Sequence, residues 1–220
     1  MRAILVANPK GGCGKTTLAT NIAGHLAQRG DAVTLWDLDR QKSSLNWLAL
    51  RPVTLPTIAR LDADRDAVAD KLENKSDKKP EKKERWLVID SPAGLHGKNL
   101  AHALKLAQKI IIPVQPSVFD MAATRDFIEH LLEEKRVRKH QMRDDDFIAM
   151  VGMRVHPRTR AAATLQQFLA QYDLPVLTHI RDTVVYANAA FQGMSLFDLP
   201  PYQAERDLED WQPLLAWLHL

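Results

Sequence analysis

Cysteine is nearly absent from this 220-residue chain, and Cys13 stands alone. One thiol cannot close an intrachain disulfide, nor can it supply the paired cysteines of a structural zinc site. Such a chain is expected in a reducing compartment, the cytoplasm. Long apolar runs are missing too. No stretch approaches the roughly 20 apolar residues that a membrane helix needs. The opening MRAILVANPKGG runs a short apolar strand straight into a glycine turn, without the apolar segment and cleavage site of a secretory signal. Charge of one sign is scarcely in excess. Thirty Lys+Arg against 27 Asp+Glu leave +3, compatible with an acidic partner such as DNA without requiring one. Hydrophobic residues make up 45%, which argues against disorder and allows a substantial core. There is no internal repeat and no linker, so residues 1–220 are expected to form a single domain.

What is present is an alternation. Strand-like apolar runs occur at 3–8, 32–39, 57–61, 86–94, 109–117, 147–155 and 175–180. Helical spacing occurs at 16–30, 43–50, 62–74, 117–137 and 159–172, with two further helical pieces in the tail near 184–192 and 203–219. Residues 75–85, KSDKKPEKKER, read as a charged surface insertion. Continuously apolar strands between helices predict an α/β fold: a doubly wound, mostly parallel sheet with helices on both faces.

The first glycine turn carries the chemistry. ANPKGGCGKTT (7–17) follows a strand and opens a helix. The usual phosphate loop is Gly, four free positions, Gly, Lys, then Ser or Thr. Counting back from Gly14-Lys15-Thr16, the first glycine is replaced by Pro9, and a second lysine, Lys10, follows it. The amides of Gly11, Gly12, Cys13, Gly14, Lys15 and Thr16 are expected to cradle phosphate oxygens at the positive end of the helix. Lys15 would neutralise the β and γ phosphates, Thr16 would bind Mg²⁺, and Thr17 is placed to reach the α-phosphate. LVID (87–90) ends an apolar strand in Asp90, a Walker B candidate for the magnesium shell. WDLDR (36–40) puts Asp37 and Asp39 on one face at strand spacing, where one carboxylate could position a water for attack on the γ-phosphate.

KGGCGKTT (10–17) resembles the deviant Walker A motif of the ParA/MinD family of partition and positioning ATPases. DLDRQKSS (37–44), VIDSPAG (88–94), IPVQPSVFD (112–120) and IRDTVVYANAAFQGMSLFDL (180–199) resemble four later family segments, so the likeness runs to about residue 200. One departure is Arg40, where the family's Asp-x-Asp-Pro-Gln has proline. The resemblance implies a P-loop NTPase fold with ATP and Mg²⁺ as ligands, and weak basal ATPase activity. It implies a dimer that sandwiches two nucleotides, in which Lys10 of each subunit touches the ATP of the other while Lys15 serves its own. It assigns the hydrolytic water to Asp39, the magnesium shell to Asp37 and Asp90, and the adenine pocket to Met153 and Pro157. Cys13 fills the motif's free position.

ParA-like members bind DNA without sequence preference, through Lys and Arg contacts to phosphate. The resemblance puts a DNA contact at Arg181. The charges of Arg154, Arg158 and Arg160 could add to the same surface, and Lys135, Arg136, Arg138 and Lys139 form another candidate cluster, with a solvated helix end as its alternative reading. A ParB-like or cargo-adaptor protein would stimulate hydrolysis, and the protein would be cytoplasmic and nucleoid-associated. Two alternatives stand beside this. A MinD-like member would anchor to membrane through a basic amphipathic tail, but the tail ERDLEDWQPLLAWLHL carries acids instead, and it is expected to pack on the domain. A ligase of the dethiobiotin-synthetase type would pass the γ-phosphate to a carboxylate. Nitrogenase iron-protein chemistry lacks its cysteines, and the chain opens on its first strand, so no operator-binding extension is expected.

Overall fold

The computed structural model describes residues 1–61, 84–134, 137, 139 and 146–220. Among these, seven strands form one sheet: β1 (Arg2–Val6), β2 (Ala32–Asp37), β3 (Ala59–Leu61), β4 (Arg85–Asp90), β5 (Lys109–Val114), β6 (Ile148–Val155) and β7 (Val176–Arg181). Their order is β3-β2-β4-β1-β5-β6-β7, and every pairing is parallel. The helices are α1 (Lys15–Gln28), α2 (Ser43–Leu50), α3 (Gly97–Leu106), α4 (Val118–Glu133), α5 (Arg160–Leu169), α6 (Val184–Phe191) and α7 (Pro201–Trp217), with a 3₁₀ turn at Leu196–Asp198.

Side-chain alternation along β1 splits the core in two. Ala3, Leu5 and Ala7 face a layer with Leu100, Leu104, Phe127, Ile128 and Leu165, from α3, α4 and α5. Ile4 and Val6 face the other way, onto Leu18, Ile22, Trp47, Trp211 and Leu214 from α1, α2 and α7. A strand buried on both faces must be apolar throughout, which is why β1, β4 and β5 read as unbroken runs. As expected, the C-terminal helix packs on the domain: Trp211 and Leu214 are fully buried. No helix among the described residues is long and apolar enough to cross a membrane.

Helix α3 had no counterpart in the sequence reading. Its N-cap His96 makes no side-chain capping bond, and its first turn lacks an acid, so it carries no start signal. The expected helix at 62–74, residues 75–83 of the charged insertion, and Lys135, Arg136 and Arg138 lie outside the described residues.

The chain winds outward in both directions from β1, because β4 and β5 flank it. In such a sheet the crevice at the carboxyl ends of the strands, at the reversal of direction, is where ligands bind. The glycine loop after β1 lies there.

Candidate functional site

Register brings the acids together. Val6 pairs with Asp90, and Asp37 pairs with Asp90 on the other side, so the two carboxylates end adjacent strands side by side. Both are buried, Asp37 completely and Asp90 to 2% exposure. They are treated differently. Asp37 accepts three bonds: Oδ1 takes the Asp39 N–H at 2.8 Å, and Oδ2 takes the Ser44 N–H at 2.9 Å and the Ser44 hydroxyl at 2.8 Å, which leaves one acceptor site on Oδ1. Asp37 thereby fixes both the turn leading to Asp39 and the start of α2. Asp90 accepts one bond, from the Thr16 hydroxyl to Oδ2 at 2.9 Å. Its Oδ1 is buried and has no partner among the described residues. Burial, then the Asp37 charge, push the Asp90 carboxyl up to about 7, against an ordinary value of 3.8.

The glycine loop closes over this pair. Gly12 and Gly14 take left-handed φ of 75° and 101°, which turns the chain sharply into α1. A side chain at Gly14 would meet Met153, whose Cε lies 2.7 Å from an ideal Cβ. Lys15 Nζ donates to the Lys10 carbonyl at 2.7 Å, and the Cys13 thiol donates to the same oxygen at 3.2 Å. Burial raises the Cys13 thiol's pKa, so it stays protonated beside the loop. Gln115 Nε2 donates to the Gly12 carbonyl at 2.7 Å and ties the loop to the chain after β5. Helix α1 starts without an acid in its first turn, so its positive end is uncompensated.

A cavity of about 670 Å³ continues from the loop, between the start of α1, α2 and α6. Thr16 and Thr17 line it at one end, and Trp47, Met153, Ile180 and Met194 give it apolar walls. That size and lining suit a nucleoside. Met153, which the resemblance assigns to the adenine pocket, is among the lining residues. Pro157 is not among the lining residues and is exposed. Arg154, within β6 where its pairing with β7 is irregular, takes a left-handed φ of 52°, and Ile180 to Thr183, at and just past the end of β7, complete the wall instead.

The arginines separate by environment. Arg158 and Arg160 are exposed, as is Arg154. Arg181 is engaged: Nε donates to Asp210 at 2.8 Å and Nη2 to Asp207 at 3.0 Å, bracketing β7 to α7. That pairing offsets part of the charge the sequence reading assigned to DNA.

The site thus unites Lys10, Gly11, Gly12, Cys13, Gly14, Lys15, Thr16, Thr17, Asp37, Asp39 and Asp90 at one rim, with Met153 beside it. Sequence reasoning missed Asn8, Ser44 and Thr124, which hold these groups in place. Asn8 had a signal: it is a polar residue closing an apolar run, and it is fully buried. Ser44 and Thr124 had none.

Oxygen donors from Thr16, Asp90 and Asp37, one of them orphaned and buried, fit a hard divalent cation such as Mg²⁺. No group of three or more His, Cys, Asp or Glu able to hold a metal alone exists among the described residues. Magnesium usually takes one or two protein carboxylates and completes its shell with phosphate and water, so the sparse set suits it.

Comparison with known proteins agrees with this geometry. Residues 4–196 match the CobQ/CobB/MinD/ParA nucleotide binding domain. The chain is 32% identical over 197 residues to maintenance of carboxysome distribution protein A of Halothiobacillus neapolitanus, covering 89% of this chain and 87% of that one. The MinD-containing MinC:MinD cell division complex of Aquifex aeolicus superposes with a TM-score of 0.72 at 18% identity, covering 100% of this chain and 96% of that one. A plasmid partition protein of Borrelia burgdorferi bound to AMPPNP superposes with a TM-score of 0.68 at 20% identity, with 98% of each chain covered. With the matched domain spanning most of the sequence, the chain belongs to the CobQ/CobB/MinD/ParA nucleotide-binding family, among its ParA/MinD-like P-loop ATPases.

Proposed function

We propose that the protein is a dimerising ATPase that binds DNA without sequence preference in its ATP state. In this reading Lys15 and the amides of residues 11–16 hold the phosphates, Thr17 reaches the α-phosphate, and Met153 packs near the base. Thr16 and Asp90 hold Mg²⁺, with Asp37 behind them. The ion would neutralise developing charge on the phosphates. Asp39, fixed through its N–H on Asp37, orients the hydrolytic water. Lys10 crosses to the partner's ATP. Its ammonium has no partner among the described residues, while its backbone is tied on both sides. ADP lacks the γ-phosphate, so the dimer would report on the nucleotide. Arg158 and Arg160, with Arg181 from the end of β7, supply the DNA contacts. A ParB-like protein or cargo adaptor would stimulate hydrolysis and release the dimer, segregating plasmid or chromosome DNA or positioning a protein cargo in the cytoplasm, on the nucleoid.

The observation that carries this reading is the Thr16–Asp90 pair beneath the glycine loop, with a buried carboxylate oxygen left unpartnered. The test is retention on random-sequence DNA with ATP or ADP across a salt series. Retention in ATP alone is expected, falling by about 10-fold or more between 50 and 200 mM salt. Equal retention in both nucleotides, or in neither, would remove the DNA role. Transfer of the γ-phosphate to a carboxylate acceptor would favour the ligase alternative.

A further inference from the structure

The proposed reading gives Lys10 its role but leaves open what aims it. The peptide plane joining Pro9 to Lys10 is gripped from two sides. Its carbonyl, on Pro9, accepts the Gly94 N–H at 2.9 Å, from the turn that follows β4 and Asp90. Its N–H, on Lys10, donates to Asn8 Oδ1 at 2.8 Å. Asn8 is in turn bolted to the opposite flank. Its Nδ2 donates to the Pro113 carbonyl at the end of β5 and to Thr124 Oγ1 on α4, each at 2.8 Å. Asn8 and Thr124 are both fully buried.

The network permits one orientation of that amide. Thr124 has a single hydroxyl proton and gives it to the Asp120 carbonyl at 2.7 Å. It can therefore only accept from Asn8, so the Asn8 NH₂ faces α4 and the carbonyl oxygen faces Lys10. Pro9 adds to this, since its ring fixes φ on the residue before the gripped peptide. This gives the missing first glycine of the loop a physical reading: a stiff residue stands where a flexible one is usual.

The other side of Lys10 is held differently. Its carbonyl accepts the Lys15 ammonium, the same group that a phosphate would draw away. With nucleotide bound, the Asn8 contact becomes the principal hold on the Lys10 backbone, beside the Cys13 thiol. We propose that Asn8, bolted by Thr124, is a positioning residue that aims Lys10 across the dimer interface. This rests on the proposed role of Lys10. The clamp also links the aim of Lys10 to the turn after Asp90, so a shift there on loss of the γ-phosphate would reach the lysine directly.

The test uses Thr124→Val, which keeps shape and removes the acceptor, and Thr124→Ser, which restores it. ATP affinity is measured with a fluorescent ATP analogue at dilute, monomeric protein. Dimerisation is measured by light scattering in ATP. Thr124→Val should bind nucleotide within about threefold of the parent and dimerise about 10-fold more weakly, with Thr124→Ser recovering the parent value. Unchanged dimerisation in Thr124→Val would overturn the proposal. Equal loss of nucleotide affinity and dimerisation would also overturn it, since the contact would then merely fold the loop. A parent protein that never dimerises in ATP would overturn the reading of Lys10 itself. Hydrogen exchange at the Lys10 amide then judges the clamp alone, and exchange no faster in Thr124→Val than in the parent would refute it.

Discussion

The two ends of the nucleotide crevice are built on opposite plans. At the phosphate end nearly every polar group is committed. Asp37 accepts three bonds, Asn8 makes three, and Lys15 and Cys13 converge on one carbonyl. The exceptions among the described residues are Asp90 Oδ1 and Ser91 Oγ, buried without a partner, and the Lys10 ammonium. At the far end, after β6 and β7, the side chains are open. Arg154, Arg158 and Arg160 point to solvent, and His156 meets Asp182 at 3.3 Å with both side chains largely exposed. Fixed geometry suits chemistry on a phosphate, where a small displacement costs rate. Loose cations suit a partner read by charge, where position matters less. Substitutions at the first end should therefore act steeply, and those at the second should act gradually and with salt.

The steepest break is Lys15→Gln. ATP affinity should fall about 100-fold or more by calorimetry, because the proposed role gives a buried ammonium to the phosphates and glutamine cannot replace its charge. Wild-type affinity in this variant would mean that the loop is not the phosphate site. Next comes Asp39→Ala. Steady-state hydrolysis should drop roughly 100-fold while ATP binding holds, as loss of a water-orienting group predicts. Normal turnover would free Asp39 from that role.

The third prediction concerns pH. In the protein without nucleotide, the Asp90 carboxyl titrates near 7 when folded and near 3.8 when unfolded. Between those values the folded state holds the extra proton. Stability from this group is therefore full below about pH 4 and is lost as pH rises toward 7, at up to about 1.4 kcal/mol per unit. Asp90→Asn, which cannot titrate, should flatten that part of the pH–stability curve. Parallel curves for the two proteins would show that the carboxyl is not held protonated.

The gentlest effects should come from the arginine rim. Arg158→Glu with Arg160→Glu should weaken DNA retention about 10-fold at low salt while leaving ATP turnover intact. Unchanged retention would move the DNA surface elsewhere. Arg181→Ala should do something different. Its partners Asp207 and Asp210 are on α7 and its side chain is 30% exposed, so melting should fall by about 1 kcal/mol or less once solvent screening is counted.

The legibility of the fold follows the same division. Strands β1, β4 and β5 were readable because burial on both faces leaves an unbroken apolar run, and α1 because Leu18, Ile22 and Leu26 repeat at helical spacing before Gly30. The phosphate loop was readable because its parts are contiguous. Helix α3 was not. Its buried face is only Leu100, Ala103 and Leu104, within ten residues and with no cap to mark its start. The supporting polar groups were hidden for another reason. Asn8 and Thr124 lie 116 positions apart, and only the winding of β5 and α4 around β1 brings them together. The resemblance put Pro157 at the adenine pocket, but Pro157 is exposed and does not line the cavity, and no local pattern announced the left-handed Arg154 just before it.

The central claim is that Lys10 makes assembly depend on the γ-phosphate of the partner's nucleotide. Light scattering of the parent and of Lys10→Ala, each with ATP and with ADP, tests it directly. The account predicts that the 24.9 kDa parent chain doubles its mass in ATP alone and that Lys10→Ala stays monomeric in both nucleotides while still binding ATP. A Lys10→Ala protein that doubles in ATP as readily as the parent would contradict it.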